Sequence, residues 1–542
     1  MNGLMMDFPL TITSIMKHAD SVHGDSEIVS VTRDNPRHRY TYRDAFRRTR
    51  QLANALGAWP LESGNSVATL AWNDYRHFEV YYASACSGFV CHTINPRLFP
   101  EQIVYIINHA EDKVLFVDPD FMPLVEAIAD KCPGIEHWVV LTSEEHMPET
   151  KLPNVLCYER LVHSHSDDID WPEIDENQAC ALCYTSGTTG NPKGVLYSHR
   201  STLLHAYATL MPDALGLAHH DSVLPIVPMF HVNAWGTPYG APMVGAKIVF
   251  PGNRMGDGET LANLINEEQV TRSAGVPTVW LNLLNYLKQS GTSVDSLKQI
   301  IVGGAACPLS IMEAFDKHGV ETRVGWGMTE MSPLGSANAS YHEREQYSPE
   351  SFAKLRQKAG KPIFGVEMKI IDDDGKALPW DGEAYGSLMV RGPWICSGYF
   401  KLDRTDAHTA DGWFETGDVA TIDPTGYMAI TDRTKDVIKS GGEWISSIEI
   451  ENVATDHPKV AEAAVIGRYH PKWSERPLLV VVKAQEGADL TAEEMLAWFD
   501  GKIAKWWTPD AVEFIDELPH GATGKIQKVD LRDHFKGYAF KE

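Results

Sequence analysis

Short apolar segments alternate with longer segments of helical periodicity through the first 400 residues of the chain. Residues 42–56 place apolar side chains at helical spacing behind Thr41, a typical N-cap, and Gly57 is suited to ending that helix. The apolar segments 66–72, 113–117, 138–141, 247–250 and 299–302 are predicted strands. Because helix-compatible stretches separate these strands, we expect largely parallel, buried sheets.

The pattern changes near residues 432–442, where a charge-rich segment leads into Ser440, Gly441 and Gly442. Beyond this point, segments 461–466, 478–482 and 512–515 are predicted strands, and 492–506 is a predicted helix capped by Thr491 with Glu494 three residues on. The predicted fold class is therefore α/β, with a large N-terminal body of layered αβ subdomains, 1–434, and a small α+β C-terminal domain, 435–542.

Size and charge narrow the classes of function. A chain of 542 residues exceeds what one hydrophobic core usually supports, so two or more domains are expected. A net charge of -25 argues against nucleic acid and anionic membranes as partners, because both would be repelled. The N-terminus lacks a basic and then apolar leader, and no apolar run is long enough to span a membrane.

The eight cysteines show neither a disulfide framework nor paired zinc spacing. The pair Cys180 and Cys183 has the spacing of a redox motif, but it lies in an apolar, strand-like run, which favours buried thiols. We therefore expect a reducing, cytoplasmic compartment.

Residues 184–194, Tyr-Thr-Ser-Gly-Thr-Thr-Gly-Asn-Pro-Lys-Gly, combine glycines, hydroxyl side chains and one lysine in a pattern suited to holding polyphosphate. The predicted phosphate-binding residues are Thr185, Ser186, Gly187, Thr188, Thr189, Gly190 and Lys193. The segment does not fit the Walker pattern, because no Ser or Thr follows Lys193. An ordinary surface loop is the alternative interpretation.

Five segments, in order along the chain, resemble the motifs of the adenylate-forming superfamily, which includes acyl-CoA synthetases. They are 184–194, Gly325-Trp-Gly-Met-Thr-Glu330, Glu415-Thr-Gly-Asp418, Asp432-Arg-Thr-Lys-Asp-Val-Ile-Lys439 and Gly521-Ala-Thr-Gly-Lys525. The resemblance extends over essentially the whole chain. It implies a large body that binds nucleotide and a small mobile C-terminal domain.

The resemblance also implies roles for single residues. Glu330, with Thr185, is expected to hold Mg²⁺, a hard cation that favours oxygen ligands. The remaining expected nucleotide contacts are Gly303, Gly304, Ala305, Trp326, Gly327, Thr329, Asp418 and Arg433. Taken alone, Trp326 could be a core side chain and Asp418 a turn residue.

Two half-reactions are expected to share this site. Lys525 would bridge the attacking carboxylate and the α-phosphate, and rotation at Lys435 would then separate adenylation from thioester formation. The segment from Lys439 to Ser446, with Gly441 and Trp444, would then approach coenzyme A. An ordinary tight turn is the alternative for Gly441.

The acyl pocket is expected around Phe230, His231, Trp235 and Pro308. Amino-acid-activating relatives place an aspartate directly after the phenylalanine, whereas this chain has His231, which favours an uncharged acyl tail. In the family this position borders the reacting carboxylate, although His231 alone could be a core histidine.

The resemblance therefore implies an acyl-CoA ligase that uses ATP, Mg²⁺ and coenzyme A. Within the family, the chain is most similar to fatty acyl-CoA and 3-methylmercaptopropionate-CoA ligases. We expect a short to medium uncharged acid, with 3-(methylthio)propionate, an acid of dimethylsulfoniopropionate demethylation, as the favoured substrate. Alternatives are a medium- or long-chain fatty acid-CoA ligase, an adenylation module that loads a carrier protein, and a luciferase-like oxygenase. By resemblance, a homodimer is expected.

Overall fold

The computed structural model describes residues 1, 3–185, 191–402, 405–441, 443–520 and 526–540, without the side chains of Glu443, Trp444 and Gln485. These residues form two compact units. The first comprises residues up to 366 together with 392–406, and the second comprises 367–391 and the chain from 407 onward. The second unit thus begins earlier than residue 435; a mobile domain that begins at residue 435 stays a prediction.

The first unit contains twelve helices and sixteen strands among its described residues. The helices are α1 Ile12–Val22, α2 Tyr42–Gly57, α3 Tyr75–Cys86, α4 Pro100–Ala110, α5 Met122–Ile128, α6 Tyr158–His163, α7 His199–Thr209, α8 Thr237–Val244, α9 Gly258–Glu267, α10 Pro277–Ser290, α11 Leu309–Lys317 and α12 Pro349–Arg356. The strands are β1 Glu27–Ser30, β2 His38–Thr41, β3 Ser66–Leu70, β4 Val90–Thr93, β5 Val114–Val117, β6 His137–Val140, β7 Val155–Cys157, β8 Ala179–Tyr184, β9 Gly194–Ser198, β10 Ser222–Pro225, β11 Lys247–Phe250, β12 Arg272–Gly275, β13 Gln299–Val302, β14 Glu321–Gly327, β15 Leu334–Ala337 and β16 Lys361–Pro362.

Two sheets organise the first unit, and both are largely parallel, as predicted. A seven-stranded sheet has the order β7-β6-β5-β3-β4-β8-β9, in which β8 and β9 pair antiparallel. A nine-stranded sheet has the order β16-β15-β14-β13-β12-β10-β11-β1-β2, in which the strands from β14 to β1 are parallel. Side chains from α9, α10 and α11 pack with those of the nine-stranded sheet into one apolar core.

The predicted cap of α2 is confirmed. The Thr41 side chain accepts a hydrogen bond from the Asp44 N–H, and the Asp44 carboxylate accepts one from the Thr41 N–H, which forms a capping box. This reciprocal pair satisfies two backbone donors that a helix start otherwise leaves without partners. The helix ends at Gly57, also as predicted.

Seven of the eight cysteines are buried, and Cys396 is half-buried. Burial raises the pKa of Cys180 to about 12 and that of Cys183 to about 11, so both remain thiols at neutral pH. The two residues lie on β8, as expected for core side chains.

The second unit contains two antiparallel-rich sheets. Its elements are β17 Glu367–Ile371, β18 Tyr385–Arg391, β19 Phe414–Ile422, β20 Met428–Arg433, β21 Ile438–Ser440, β22 Glu443–Ile445, α13 Ser447–Thr455, β23 Val460–His470, β24 Ser474–Lys483, α14 Ala492–Trp498, β25 Ala511–Phe514 and α15 Lys528–His534. Strands β17 to β20 form a four-stranded meander, and β21 to β25 form a five-stranded sheet.

Two expectations fail in this unit. The meander β17 to β20 was not predicted, because residues 367–391 were expected to continue the alternation of helices and strands. The helix predicted over 492–506 ends at Trp498, because Gly501 has φ +75°, a left-handed conformation that a helix does not continue through.

Among the described residues, no helix has the length and apolar composition that crossing a membrane requires.

Candidate active site

The candidate site of the first unit lies where parallel strands of the nine-stranded sheet end. Phe230 and His231 follow β10, Gly303 follows β13, and Thr329 and Glu330 follow β14. Since β10, β12, β13 and β14 run in the same direction, their carboxyl ends share one edge of the sheet. Ligands of open α/β sheets bind at this edge.

The predicted phosphate loop connects β8 to β9, which form an antiparallel hairpin in the other large sheet. The Thr185 N–H donates to the Lys193 carbonyl at 2.9 Å, and the Lys193 N–H donates to the Thr185 hydroxyl at 3.3 Å, so the base of the hairpin is closed at these two residues. Ser186, Gly187, Thr188, Thr189 and Gly190 lie outside the described residues.

Lys193 and Glu330, predicted from separate motifs, are brought together by Tyr399. The Lys193 ammonium lies 4.9 Å from the centre of the Tyr399 ring, and the Tyr399 hydroxyl donates to Glu330 Oε1 at 2.8 Å. Glu330 is buried, and burial together with the Glu330 charge raises the pKa of Tyr399, which stays protonated as a donor. Tyr399 was missed in the sequence, because only the fold brings residue 399 beside residue 330.

Thr329 and Glu330 lie in a 3₁₀ turn, Thr329–Met331, directly after β14. The turn is held from both sides: the Tyr197 hydroxyl donates to the Thr329 carbonyl at 2.6 Å, and the Cys396 N–H donates to the Glu330 carbonyl at 2.8 Å. Tyr197 lies on β9, so the phosphate hairpin and the Glu330 turn are directly linked.

The predicted adenine surface combines exposed backbone after β13 with the ring of Trp326. Gly304 and Ala305 are exposed, and Gly304 has φ +79°. Trp326 is half-buried, and a Cβ placed on Gly335 would lie 2.6 Å from its ring, so the indole packs on the neighbouring strand. Gly327 approaches its neighbour closely as well: a Cβ there would lie 1.7 Å from the Pro333 carbonyl oxygen.

The segment carrying His231 and Trp235 has an uncommon backbone. Four consecutive residues, Val232 to Trp235, have φ of 47°, 49°, 48° and 55°, and Gly236 follows with φ 77°. Such a left-handed turn is unfavourable by about 1–2 kcal/mol per non-glycine residue, so surrounding contacts must hold it. Non-glycine residues in this conformation are concentrated at functional sites.

Two side chains of the seven-stranded-sheet subdomain hold this turn and the segment that leads into it. Asn73 is fully buried; its amide donates to the carbonyls of Pro225 and Val227, and its Oδ1 accepts from the Met229 N–H at 2.6 Å. The Tyr81 hydroxyl contacts the Met229 carbonyl oxygen and, at 3.2 Å, Asn233 Oδ1. Neither residue carries a motif signal in the sequence, and both were missed.

Within the predicted acyl pocket, Trp235 lies against the strip of small residues after β13. A Cβ placed on Gly303 would lie 2.8 Å from Trp235 Cη2, so the absence of a side chain at Gly303 makes room for the indole. Phe230 is buried, with its ring 5.9 Å from that of Trp72. His231 and Pro308 are half-buried, and Pro308 is the N-cap of α11. The predicted acyl and adenine surfaces therefore meet at Gly303.

In the second unit, the predicted ribose residue Asp418 and the predicted ribose or phosphate residue Arg433 are direct partners. They lie opposite each other on β19 and β20, and Arg433 Nε is 2.8 Å from Asp418 Oδ1. The Asp418 carboxylate is only 4% exposed, whereas the Arg433 side chain is 46% exposed. The exposed cation could therefore contact an anionic ligand while it orients the buried carboxylate.

Lys435 is exposed in the turn between β20 and β21. Hydrogen bonds span it: the Ser446 hydroxyl donates to the Thr431 carbonyl, and the Ser447 N–H donates to Asp432 Oδ2 at 2.6 Å. The backbone at Lys435 is thus bracketed by contacts between the residues on its two sides.

The predicted coenzyme A segment forms the hairpin of β21 and β22. Lys439 is exposed, 3.8 Å from Asp373 Oδ2. Gly441 has φ 60° in the turn, and its N–H donates to the Trp473 carbonyl at 2.7 Å, which favours the tight-turn interpretation of this glycine. The Trp444 side chain and Lys525 lie outside the described residues.

Comparison with known proteins places the chain in a family. Residues 17–400 match the AMP-binding enzyme family, and residues 449–525 match the AMP-binding enzyme C-terminal domain. The chain is an AMP-binding enzyme. The two matched regions contain three of the five motifs, and the other two, 415–418 and 432–439, lie between the regions.

This AMP-binding enzyme is similar along its whole length to proteins named as CoA ligases. It is 53% identical to the 3-methylmercaptopropionyl-CoA ligase of Ruegeria lacuscaerulensis, over 99% of both chains. It is 49% identical to the medium-chain-fatty-acid–CoA ligase of Ectopseudomonas oleovorans, over 99% of this chain and 98% of that protein. Its fold matches the crystal structure of the anthranilate CoA ligase AuaEII in complex with anthranoyl-AMP with a TM-score of 0.85, 26% identity and 98% of each chain covered.

Proposed function

We propose that the protein is an ATP-dependent acyl-CoA ligase that makes an acyl-adenylate and then transfers the acyl group to coenzyme A. The observation that carries the proposal is the convergence of the Lys193–Tyr399–Glu330 contacts with the Trp235–Gly303 contact at one sheet edge. The identities of 53% and 49% to two acyl-CoA ligases, over 99% of this chain, support the same reaction.

In the first half-reaction, a carboxylate oxygen attacks the α-phosphorus of ATP, and pyrophosphate leaves. The protein must stabilise charge on the phosphates, chiefly through preorganised donors. We assign the β- and γ-phosphates to the segment from Thr185 to Lys193, the α-phosphate to Thr329, and the bridging contact to Lys525. His231 would border the reacting carboxylate, and Asp418 with Arg433 would receive the ribose.

The chemistry of the residues fits Mg²⁺ at this site. Glu330 is a buried carboxylate whose Oε1 already accepts a hydrogen bond from Tyr399, and a carboxylate with nucleotide phosphates and water is the usual magnesium environment. We propose that Glu330, together with the Thr185 hydroxyl, holds the cation. When bound, the ion neutralises charge on the phosphates.

In the second half-reaction, the coenzyme A thiol attacks the acyl carbonyl of the adenylate, a thioester forms, and AMP leaves. We propose that the chain turns at Lys435 between the two steps. The hairpin with Lys439, Gly441 and Trp444 would then approach the pantetheine arm.

For the acid, we propose 3-(methylthio)propionate. The similarity to the Ruegeria lacuscaerulensis ligase supports the choice, because the 3-methylmercaptopropionyl group in the name of that ligase is the acyl group of this acid. No carboxylate for a substrate ammonium is found among half-buried His231, half-buried Trp235 and buried Phe230. The rings of Trp235 and Phe230 instead offer an apolar surface for the tail. Contacts of sulfur with aromatic rings contribute about 0.3–1.5 kcal/mol each.

A medium-chain fatty acid is the second candidate, because the Ectopseudomonas oleovorans ligase is nearly as similar. Since a thioether differs little from an alkyl tail in energy, the depth of the pocket must decide between the two acids.

The deciding experiment is pyrophosphate release across a panel of linear acids, with and without coenzyme A. We expect the highest kcat/KM for 3-(methylthio)propionate and a thioester product. A clearly higher kcat/KM for octanoate would contradict this choice and identify a medium-chain fatty acid as the substrate. Pyrophosphate release with every acid but no thioester would contradict the ligase proposal itself.

We further propose a cytoplasmic homodimer. The buried, protonated thiols of Cys180 and Cys183 are consistent with a reducing compartment. Light scattering coupled to gel filtration measures the subunit number directly, and a mass near 60.3 kDa would contradict the dimer.

A further inference from the structure

A largely buried lysine that no motif covers lies at the start of α15. Lys528 Nζ is 2.7 Å from Glu451 Oε1 and donates to the Ser447 hydroxyl at 2.5 Å. The Lys528 side chain is 11% exposed and that of Glu451 is 16% exposed. Burial disfavours the ammonium, but Glu451, Asp432 and Asp436 raise the pKa of Lys528 above its usual value. The lysine is therefore charged.

The carboxylates around Lys528 come from three separate elements. Glu451 lies on α13, Asp432 lies at the end of β20, and Asp436 follows Lys435. Asp432 accepts from the Ser447 N–H at 2.6 Å, while Asp436 Oδ1 is 2.7 Å from an Arg532 nitrogen on α15. Two cations one turn apart on α15 are thus held by carboxylates of α13 and of the segment around Lys435.

The backbone just before Lys528 is also held. The Gln527 N–H donates to the Pro519 carbonyl at 2.8 Å, and His520 pairs with Ile526 in an antiparallel bridge. His520 Nε2 lies 3.2 Å from Glu462 Oε1. Residues 519–520 and 526–528 therefore bring together the two ends of the segment 521–525.

We infer that Lys528 is a positioning residue for adenylation, because its contacts with Glu451 and Ser447 anchor the carboxyl end of the segment that carries Lys525. The inference rests on the proposed function of Lys525. An apolar side chain of similar volume could stabilise this position as well as an ion pair does. Unlike an apolar side chain, however, Lys528 makes directional bonds to α13 from the start of α15.

The test compares half-reactions in Lys528→Met, Lys528→Arg and the control Lys536→Met, whose lysine is exposed just beyond the end of α15. Adenylation is measured by pyrophosphate exchange, and thioester formation is measured from presynthesised acyl-adenylate and coenzyme A. Because small misplacements of a catalytic group can reduce rates on the order of 100-fold, we expect a 10- to 100-fold lower adenylation kcat in Lys528→Met, with unchanged KM for ATP. Thioester formation should keep most of its rate, Lys528→Arg should recover part of the adenylation, and the control should match the wild type.

A purely stabilising role would lower both half-reactions together, and that result overturns the inference. An adenylation rate of Lys528→Met equal to that of the wild type also overturns the inference. If Lys528→Met does not fold, Glu451→Gln replaces it, since glutamine removes the charge that pairs with Lys528 and keeps the size of the side chain. Selective loss of adenylation in that variant supports the inference, and unchanged adenylation or equal loss in both half-reactions overturns it. Failure of the wild-type enzyme to exchange pyrophosphate would instead refute the proposed function, so the two failures are distinguishable.

Discussion

Gly303→Ala places one methyl group where the predicted acyl and adenine surfaces meet. The added Cβ would lie 2.8 Å from Trp235 Cη2 and 3.1 Å from the Gly325 carbonyl oxygen. Gly303 does not have a positive φ, so alanine fits the backbone, and the steric overlap is the only new term. Since Gly325 belongs to β14 in the sheet, we expect the Trp235 ring to move.

The magnitude follows from the overlap. An extra methyl group in a well-packed site is unfavourable by about 1–3 kcal/mol. If that energy is expressed in the binding of the transition state, kcat/KM for the acid falls about 5- to 150-fold. The KM for ATP should change less, because the overlap is directed at Trp235.

The assay is pyrophosphate release against acid concentration for four- to ten-atom acids. Gly57→Ala is the matched control, since a Cβ at the exposed end of α2 meets nothing within 4 Å. Trp235→Ala should shift the chain-length profile by itself, and it should remove most of the effect of Gly303→Ala when the two are combined. An unchanged kcat/KM in Gly303→Ala, or an undiminished effect in the Trp235→Ala background, would refute the contact as the determinant of acid selection.

Three further predictions test the remaining assignments. Lys525→Ala should lower adenylation on the order of 10² to 10³-fold and spare thioester formation from acyl-adenylate, with Lys536→Ala as control; equal loss in both steps would remove its assigned role. Glu330→Ala should weaken the Mg²⁺ dependence of pyrophosphate release far more than Tyr399→Phe, and an unchanged metal requirement would contradict the ligand role. Lys435→Pro should spare pyrophosphate release and impair thioester formation, because proline restricts φ, whereas Lys435→Ala should leave both steps intact. Normal activity of Lys435→Pro in both steps would locate the turning point elsewhere.

Regular elements with strong local signals were predictable. The strands at 247–250 and 299–302 have the predicted bounds, because each is a short apolar run between polar residues. Helix α2 has its cap and its end where Thr41 and Gly57 indicate them. The error at α14 arose because Ile503, Trp506 and Trp507 pack on the same core as the helix, so the apolar periodicity continues past the backbone break.

In the site, the sequence indicated which segments matter but not how they are held. The roles of Asn73, Tyr81 and Tyr399 depend on partners far away in the chain, and none lies in a recognisable pattern. The left-handed turn was also unpredictable, because Val232 is β-branched and strongly disfavours positive φ. Only the tertiary contacts around the turn make it the stable conformation.

The hydrogen bonds that span Lys435 bear on how the enzyme divides its time between conformations. Turning at Lys435 would break the bond from Ser446 to Thr431 and the charge-assisted bond from Ser447 to Asp432. Bonds of these two kinds contribute about 0.5–1.5 and 1.5–3 kcal/mol respectively, so the present arrangement would outweigh an otherwise equal alternative by about 30- to 2,000-fold. The turned conformation would then be a rare state in the absence of ligands, and the occupancy of the site, rather than spontaneous motion, would set how often the thioester step begins.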